Sequence, residues 1–199
     1  AGAINGEAVD GYLDELGGKA SQTETFVALK LQIDNWRWAG VPFYQRTGKR
    51  LKQKYSEIVI QFKEVPYSIS PELCDTRNAN RLTIRLQPDE GVKQSVMLKD
   101  PGPGDFHLRP ASLDLSFTES SGARYPDAYE RLLIEIIRGN PALFMRRDEV
   151  EFAWRWIDEI IAGWESAGQP VEGYVAGSWG PTAASLMLDR DDRSWFRPE

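Results

Sequence analysis

Apolar and polar residues alternate along several short stretches of the chain. The alternation first appears at residues 27–33 and recurs at 58–62, 82–86 and 113–117. A period of two residues predicts strands with one apolar face, as in an antiparallel sheet that has one packed side. Residues 88–91 have the composition of a tight turn, so we expect a hairpin there.

The apolar spacing becomes helical in the last third of the chain. Apolar side chains at residues 129–137 fall on one stripe, which predicts a helix that ends at Gly139. A second helix is predicted to begin at Asp148, with Glu151 completing a capping box. A last short helix is expected near residues 182–189.

The order of these elements indicates the fold class. Strands come first, helices come late, and no alternating strand–helix rhythm is present, which predicts an α+β fold with a large, mainly antiparallel sheet and helices packed on one face. Residues 1–21 are rich in glycine, small and acidic residues and predict a linker or arm, so the domain itself is expected to cover residues 22–199. The chain begins without methionine, as expected for a processed, tagged or excised fragment.

Composition narrows the possible partners and the compartment. The chain has 199 residues and a net charge of −6, which argues against binding to nucleic acid or to an anionic membrane. Cys74 is the single cysteine and lies in no Cys/His cluster, so neither an internal disulfide nor a metal site is expected. No apolar run approaches the length of a membrane span and the first residues do not resemble an export signal, which predicts a cytoplasmic protein.

One stretch reverses the negative charge of the chain. Residues 35–56 contain six basic residues and no acidic one, among them Lys49 and Lys54. Such a local reversal indicates a site for an anion, and two lysine ammonium groups could reach one phosphate. A solvated basic hairpin explains the same composition, so the residues alone leave both interpretations open.

Other candidate chemistry is weak. No glycine-rich loop lies between a strand and a helix, so no nucleotide-binding motif is predicted. His107 is the only histidine, and no carboxylate can be placed against its ring from the sequence. Ser178 lies in a Gly-Ser-Trp-Gly sequence that lacks the spacing of a nucleophile elbow, and Asp191 and Asp192 are expected to be solvated in a charged tail.

Several separate motifs occur in order between residues 12 and 195. They include NWRWAGVPFY at 35–44, RTGKRL at 46–51, IRLQPDE at 84–90, YPDAYERL at 125–132 and GSWGP at 177–181. In this series the chain closely resembles the C-terminal domain of the glucose-6-phosphate dehydrogenase family, of the bacterial type.

The resemblance implies an oxidoreductase of carbohydrate metabolism. Such an enzyme oxidises D-glucose 6-phosphate to 6-phospho-D-glucono-1,5-lactone with NAD or NADP, the first step of the oxidative pentose phosphate pathway. The nucleotide-binding fold and the catalytic histidine of the family are expected before residue 1. We therefore expect the isolated chain to be inactive, with no catalytic or cofactor-binding residue of its own and no metal.

The resemblance also assigns site residues. The family's two sugar-phosphate lysines from this domain fall on Lys49 and Lys54, and a contributing glutamine falls on Gln87. Self-association through the sheet, as a dimer or tetramer, is implied as well. The expected partners are thus glucose 6-phosphate and further copies of the chain, with no nucleic acid and no membrane.

Some family members hold a second, structural nucleotide against the sheet. Arg46, Arg85 and Asp114 match residues of that site. Lys93 and Ser95 stand where aromatic and basic residues are expected, and the basic position after Lys54 is Tyr55. These departures predict that this nucleotide is not bound. An alternative to the enzyme is a non-catalytic binding or assembly module that keeps the same scaffold.

Overall fold

The computed structural model describes residues 1–64, 80–103, 108–117 and 127–197, and the chain divides into two compact units. The first unit comprises Ala1–Gln53 and Pro126–Glu199, and the second comprises Lys54–Tyr125. The single cysteine, Cys74, and the single histidine, His107, lie outside the described residues.

The first unit begins with two small antiparallel hairpins. Strands β1 (Gly2–Ile4) and β2 (Glu7–Val9) form the first hairpin, and a short helix α1 (Tyr12–Glu15) follows. Strands β3 (Phe26–Leu31) and β4 (Phe43–Gly48) form the second. The alternation at residues 27–33 thus predicted β3 correctly, whereas β4 lies inside the basic stretch and was not predicted.

The later part of the first unit contains helices joined by loops. They are α2 (Ala128–Arg138), a 3₁₀ turn (Pro141–Leu143), α3 (Arg147–Ser166) and α4 (Thr182–Asp189). The Asp127 carboxylate accepts the Tyr129 N–H at 2.8 Å and begins α2, and Gly139, in the left-handed conformation, ends it as predicted. Helix α4 has the predicted bounds.

The predicted start of the second long helix was wrong. Helix α3 begins at Arg147, and the Glu149 carboxylate accepts the backbone N–H of Arg146 at 3.0 Å. An acidic side chain at the third helical position is the one that reaches back to the cap, so Glu149 takes the place expected for Glu151. The Oε1 atom of Glu151 lies 3.7 Å from Nε of Arg147, one helical turn earlier.

Burial within the first unit is uneven. Ala184 and Leu188 of α4 are the buried apolar residues of the described part of the chain. By contrast, Tyr129 and Ile137 on α2 are 77% and 86% exposed. Since a stripe of this kind forms to be buried, α2 leaves its apolar face uncovered within the described residues. Among those residues, no helix combines the length and the apolar character needed to cross a membrane.

The second unit is built on a four-stranded antiparallel sheet. Its strands are β5 (Ser56–Gln61), β6 (Arg81–Gln87), β7 (Gly91–Lys99) and β8 (Leu108–Ser116), in that spatial order. Each strand pairs with the next along the chain. The predicted strands correspond to β5, β6 and β8, and the predicted turn at 88–91 joins β6 to β7, while β7 itself was not predicted.

The register gives the sheet one apolar and one polar face. Ile84 lies opposite Ile58 on β5 and Val92 on β7, and Leu115 lies opposite Val92, so these side chains share a face. Leu115 is 52% exposed. The other face carries the charged cross-strand neighbours, which are Glu57 opposite Arg85 and Lys93 opposite Asp114.

The α+β class with antiparallel sheets is confirmed. The four-stranded sheet lies in the second unit and the described helices lie in the first. Packing of helices on one face of the sheet therefore stays a prediction, as does the division of the chain at residue 21.

Candidate anion-binding site

The basic stretch folds into β4 and the turn that follows it. Lys49 comes directly after β4, and its N–H donates to the Thr25 carbonyl at 2.8 Å, one pair beyond the end of the hairpin ladder. The Lys49 side chain is exposed, and no hydrogen bond or ion pair to its ammonium group is found among the described residues. A lysine ammonium in this state is available to an anion.

The residue after Lys49 has an uncommon backbone conformation. Arg50 has φ of 51°, in the left-handed region that non-glycine residues seldom adopt. Its carbonyl accepts the N–H of Gly177 at 2.8 Å. Its guanidinium donates to the Asp10 carbonyl at 2.9 Å and pairs with Glu15. The Arg50 guanidinium is thus engaged by groups of the protein, whereas the Lys49 ammonium has no partner among the described residues.

A distant loop holds this turn from the other side. The Tyr174 hydroxyl lies 2.7 Å from the Lys49 carbonyl and 3.0 Å from the Thr25 carbonyl. Further along, the Lys52 N–H donates to the Ser178 carbonyl at 2.9 Å. We call Lys49–Lys52 the basic turn and residues 174–178 the clamp loop. The clamp loop contacts backbone groups of the basic turn, so the shape of the basic turn depends on residues far away in sequence.

Gly177 is needed for the clamp loop to come this close. Its φ is 81°, and a Cβ at this position would lie 2.1 Å from the Ala3 carbonyl oxygen. A side chain would therefore meet both backbone strain and a rigid neighbour. Gly180, in the same GSWGP motif, also has a positive φ.

Arg46 on β4 lies between two indole rings. Its guanidinium carbon is 5.2 Å from the centre of the Trp179 ring and 4.7 Å from that of Trp195. Its Nη2 donates to the Phe196 carbonyl at 3.1 Å. These are the distances of cation–π contacts, and they attach the C-terminal segment to the hairpin.

A second contact attaches the same segment. Asp191 accepts hydrogen bonds from Lys30 Nζ at 2.8 Å and from the Tyr44 hydroxyl. The bond from Lys30, followed by that from Tyr44, holds the pKa of Asp191 below its ordinary value of 3.8. Burial, followed by the bond to Asp191, raises the pKa of Tyr44 above its ordinary value of 10.0. The prediction that Asp191 is solvated in a tail was therefore wrong, because a tertiary contact across 161 residues supplies its partner.

The other two predicted site residues lie in the second unit. Gln87 ends β6, is exposed, and pairs in register with Ser56. Lys54 is exposed two residues before Ser56, and its ammonium has no partner among the described residues. The sheet register therefore brings Lys54 and Gln87 to the same end of the β5–β6 pair, while Lys49 belongs to the first unit.

The residues that match the second nucleotide site are divided in the same way. Arg46 lies in the first unit and is engaged by two indoles, whereas Arg85 and Asp114 lie on the polar face of the sheet. Lys93 is the cross-strand neighbour of Asp114. The engagement of Arg46 accords with the prediction that no nucleotide is held there, which stays a prediction.

Some residues of the site could not be inferred from the sequence. Tyr174, Trp179 and Trp195 lie more than a hundred residues from the basic turn and were not assigned to it. The motif GSWGP was the only local signal that this region matters. No group of three or more His, Cys, Asp or Glu side chains in the described ranges could hold a metal ion.

Comparison with known proteins identifies the family of this chain. Residues 1–196 match the model of the glucose-6-phosphate dehydrogenase C-terminal domain. The chain is 58% identical over 195 residues to glucose-6-phosphate 1-dehydrogenase of Rhizobium meliloti, and 51% identical over 194 residues to that of Mycolicibacterium smegmatis. Each match covers 98% of this chain but only 40% and 39% of the relatives, so the chain spans about two fifths of their length.

Solved structures of glucose-6-phosphate dehydrogenases also match the fold of the chain. The crystal structure of glucose-6-phosphate 1-dehydrogenase from Mycobacterium avium matches 90% of the chain with a TM-score of 0.71 and 35% identity, covering 36% of that protein. A glucose-6-phosphate dehydrogenase in complex with its substrate glucose 6-phosphate matches all of the chain with a TM-score of 0.82 and 29% identity, covering 40% of that protein. The motifs, the fold and the whole-chain match together establish that this chain belongs to the glucose-6-phosphate dehydrogenase C-terminal domain family.

Proposed function

We propose that the chain completes the sugar-phosphate site of a glucose-6-phosphate dehydrogenase. In the full-length enzyme, D-glucose 6-phosphate is oxidised to 6-phospho-D-glucono-1,5-lactone while NAD or NADP accepts the hydride. The observation that carries the proposal is the family match over residues 1–196. The similar solved enzyme that holds glucose 6-phosphate supports the choice of substrate.

Lys49 and Lys54 bind the phosphate group of the substrate in this proposal. Both side chains are exposed, and neither ammonium has a partner among the described residues. An ammonium group is a compact point charge with three donors and suits a phosphate oxygen in any orientation. Gln87, at the same end of the β5–β6 pair as Lys54, contributes its amide to the sugar phosphate.

The nicotinamide nucleotide and the proton-accepting base belong to another part of the enzyme. In this proposal Lys49, Lys54 and Gln87 hold the sugar phosphate, while the base takes the proton of the sugar hydroxyl and the nucleotide takes the hydride from the sugar carbon. We therefore propose that the chain acts on substrate binding, and that the isolated chain has no turnover.

Self-association is the second role that we propose. The apolar face of the four-stranded sheet needs cover from the enzyme's own chain, since Leu113 and Leu115 are 67% and 52% exposed. The polar face, with its charged cross-strand neighbours, then remains for contact with a second copy. The cytoplasmic location inferred from the sequence stays a prediction.

The substitution Lys49→Ala in the full-length enzyme tests the substrate role. Loss of a charged hydrogen bond to phosphate is expected to raise KM for glucose 6-phosphate by about 10- to 100-fold and to leave KM for the nucleotide within about twofold. Steady-state kinetics with each substrate varied in turn give both values. Lys19→Ala, an exposed lysine without a partner among the described residues, is the matched control.

Two results would contradict the proposal. One is an equal rise of both KM values in Lys49→Ala, which would give Lys49 a structural role. The other is measurable oxidation of glucose 6-phosphate by the isolated chain, which would place the catalytic groups within it.

A further inference from the structure

We infer that Tyr174 is a positioning residue for Lys49, acting through the backbone of the basic turn. The inference rests on the proposed function, in which Lys49 binds the phosphate of the substrate. Tyr174 lies 125 residues after Lys49 in the sequence, and its hydroxyl contacts the Lys49 carbonyl. It touches the main chain of Lys49, whose ammonium group has no partner in the part of the chain that the structure describes.

The hydroxyl of Tyr174 completes a closed set of hydrogen bonds around Lys49. The Lys49 N–H donates to the Thr25 carbonyl at 2.8 Å, and the Lys49 carbonyl accepts from the Tyr174 hydroxyl at 2.7 Å. The same hydroxyl lies 3.0 Å from the Thr25 carbonyl. Since a phenol has one proton, the two carbonyls share it. Both backbone groups of Lys49 are thereby attached to fixed partners.

This attachment matters because the strand has already ended at Gly48. Beyond that residue the hairpin ladder no longer orients side chains, and the next residue, Arg50, is in the left-handed conformation. The direction in which the Lys49 side chain leaves the main chain is therefore set by the bond to Thr25 together with the clamp loop. The bond from the Gly177 N–H to the Arg50 carbonyl extends the same support by one residue.

The ring of Tyr174 is held independently of its hydroxyl. It packs against the Phe26 ring with centroids 5.6 Å apart and the planes at 57°. Phe26 also lies against Gly48, where an added Cβ would come within 2.7 Å of its ring. A phenylalanine at position 174 keeps this packing, so Tyr174→Phe removes the hydroxyl alone.

Tyr174→Phe in the full-length enzyme is the experiment. Freed of one hydrogen bond, the Lys49 peptide spends less time in the arrangement that presents the ammonium to phosphate, so we expect KM for glucose 6-phosphate to rise about three- to tenfold. The value of kcat and KM for the nucleotide are expected to stay within about twofold, a split that general loosening of the fold would not produce. Tyr129→Phe is the control, because the Tyr129 hydroxyl has no partner among the described residues.

A double-mutant cycle separates positioning from an independent effect. If Tyr174 acts through Lys49, adding Tyr174→Phe to Lys49→Ala raises KM for glucose 6-phosphate no further. A full, multiplicative rise in the double variant would overturn the inference. So would a lower melting temperature of Tyr174→Phe with an unchanged KM, because the hydroxyl would then serve stability only.

The outcomes also separate this inference from the proposed function. If Lys49→Ala leaves KM for glucose 6-phosphate unchanged, the phosphate role of Lys49 fails and the positioning role fails with it. If Lys49→Ala has its large effect and Tyr174→Phe has none, only the positioning role fails.

Discussion

The basic turn and the four-stranded sheet are built on opposite principles. In the sheet, each strand pairs with its neighbour along the chain, so the hydrogen bonds that define it join residues close in sequence. In the basic turn, hydrogen bonds from the clamp loop, about 125 residues away, add to the one that joins Lys49 to Thr25. A contact of that range must overcome a larger loss of chain entropy before it forms.

The difference explains the position of Lys49, for which we propose binding of the substrate phosphate. A strand fixes its side chains by a ladder of backbone bonds, but it also directs them alternately to two faces. Lys49 lies just outside such a ladder, where the clamp loop can set its direction separately. In the sheet, the backbone ladder fixes the direction of each side chain. In the basic turn, contacts with the clamp loop help to fix the direction of the Lys49 side chain.

Gly177→Ala is expected to have the largest effect of the changes that test this contrast. The new Cβ would lie 2.1 Å from the Ala3 carbonyl oxygen at a residue with φ of 81°, so both overlap and backbone strain oppose it. We expect the free energy of unfolding to fall by about 3 kcal/mol or more. Urea denaturation followed by circular dichroism measures it.

Gly168→Ala provides the control for that experiment. Gly168 also has a positive φ, 59°, but nothing lies within 4 Å of an added Cβ, so only the backbone strain of about 1 kcal/mol remains. Equal destabilisation by the two substitutions would mean that the clamp loop does not depend on close approach to Ala3.

A smaller effect is expected on the sheet, where we propose that a second copy binds the polar face. Ser112 is exposed on β8 and lies opposite Ser95, on the face that carries Lys93 and Asp114. Ser112→Arg adds a long charged side chain to that contact and is expected to weaken self-association about tenfold or more, which equals about 1.4 kcal/mol. Analytical ultracentrifugation of the full-length enzyme over a range of concentrations measures the change.

Ser166→Arg, at the end of α3, is the matched control for added bulk and charge. It is expected to leave the association unchanged. If Ser112→Arg also assembles as the unchanged enzyme does, the polar face of the sheet is not the contact.

The smallest effect is expected at the Lys30–Asp191–Tyr44 contact, and it depends on pH. Because the pKa of Asp191 is lowered in the folded protein, its contribution to stability is present above the unfolded value and is lost as pH falls through the folded one. Asp191→Asn should therefore destabilise the chain at pH 7, and its difference from the unchanged chain should shrink below about pH 4. Urea denaturation at several pH values gives the comparison, and a difference that stays constant down to about pH 3 would contradict it.

Much of the fold could be predicted from local pattern alone. The alternation of apolar and polar residues predicted strands β3, β5, β6 and β8, because a half-buried strand requires this alternation along its own residues. Strand β4 was missed because it lies within the basic stretch, whose charged residues resembled a binding surface more than a strand. Arg46 is tolerated there because Trp179 and Trp195 cover its guanidinium.

The class of the fold, the family and the candidate lysines follow from the sequence, because they depend on residue types in a fixed order. Which of the charged side chains are engaged depends on contacts that form only in the folded chain. Lys49 and Arg50 are adjacent basic residues, yet Arg50 is occupied by Asp10 and Glu15 whereas the Lys49 ammonium has no partner among the described residues. That distinction rests on contacts between segments distant in the chain, which no local pattern records.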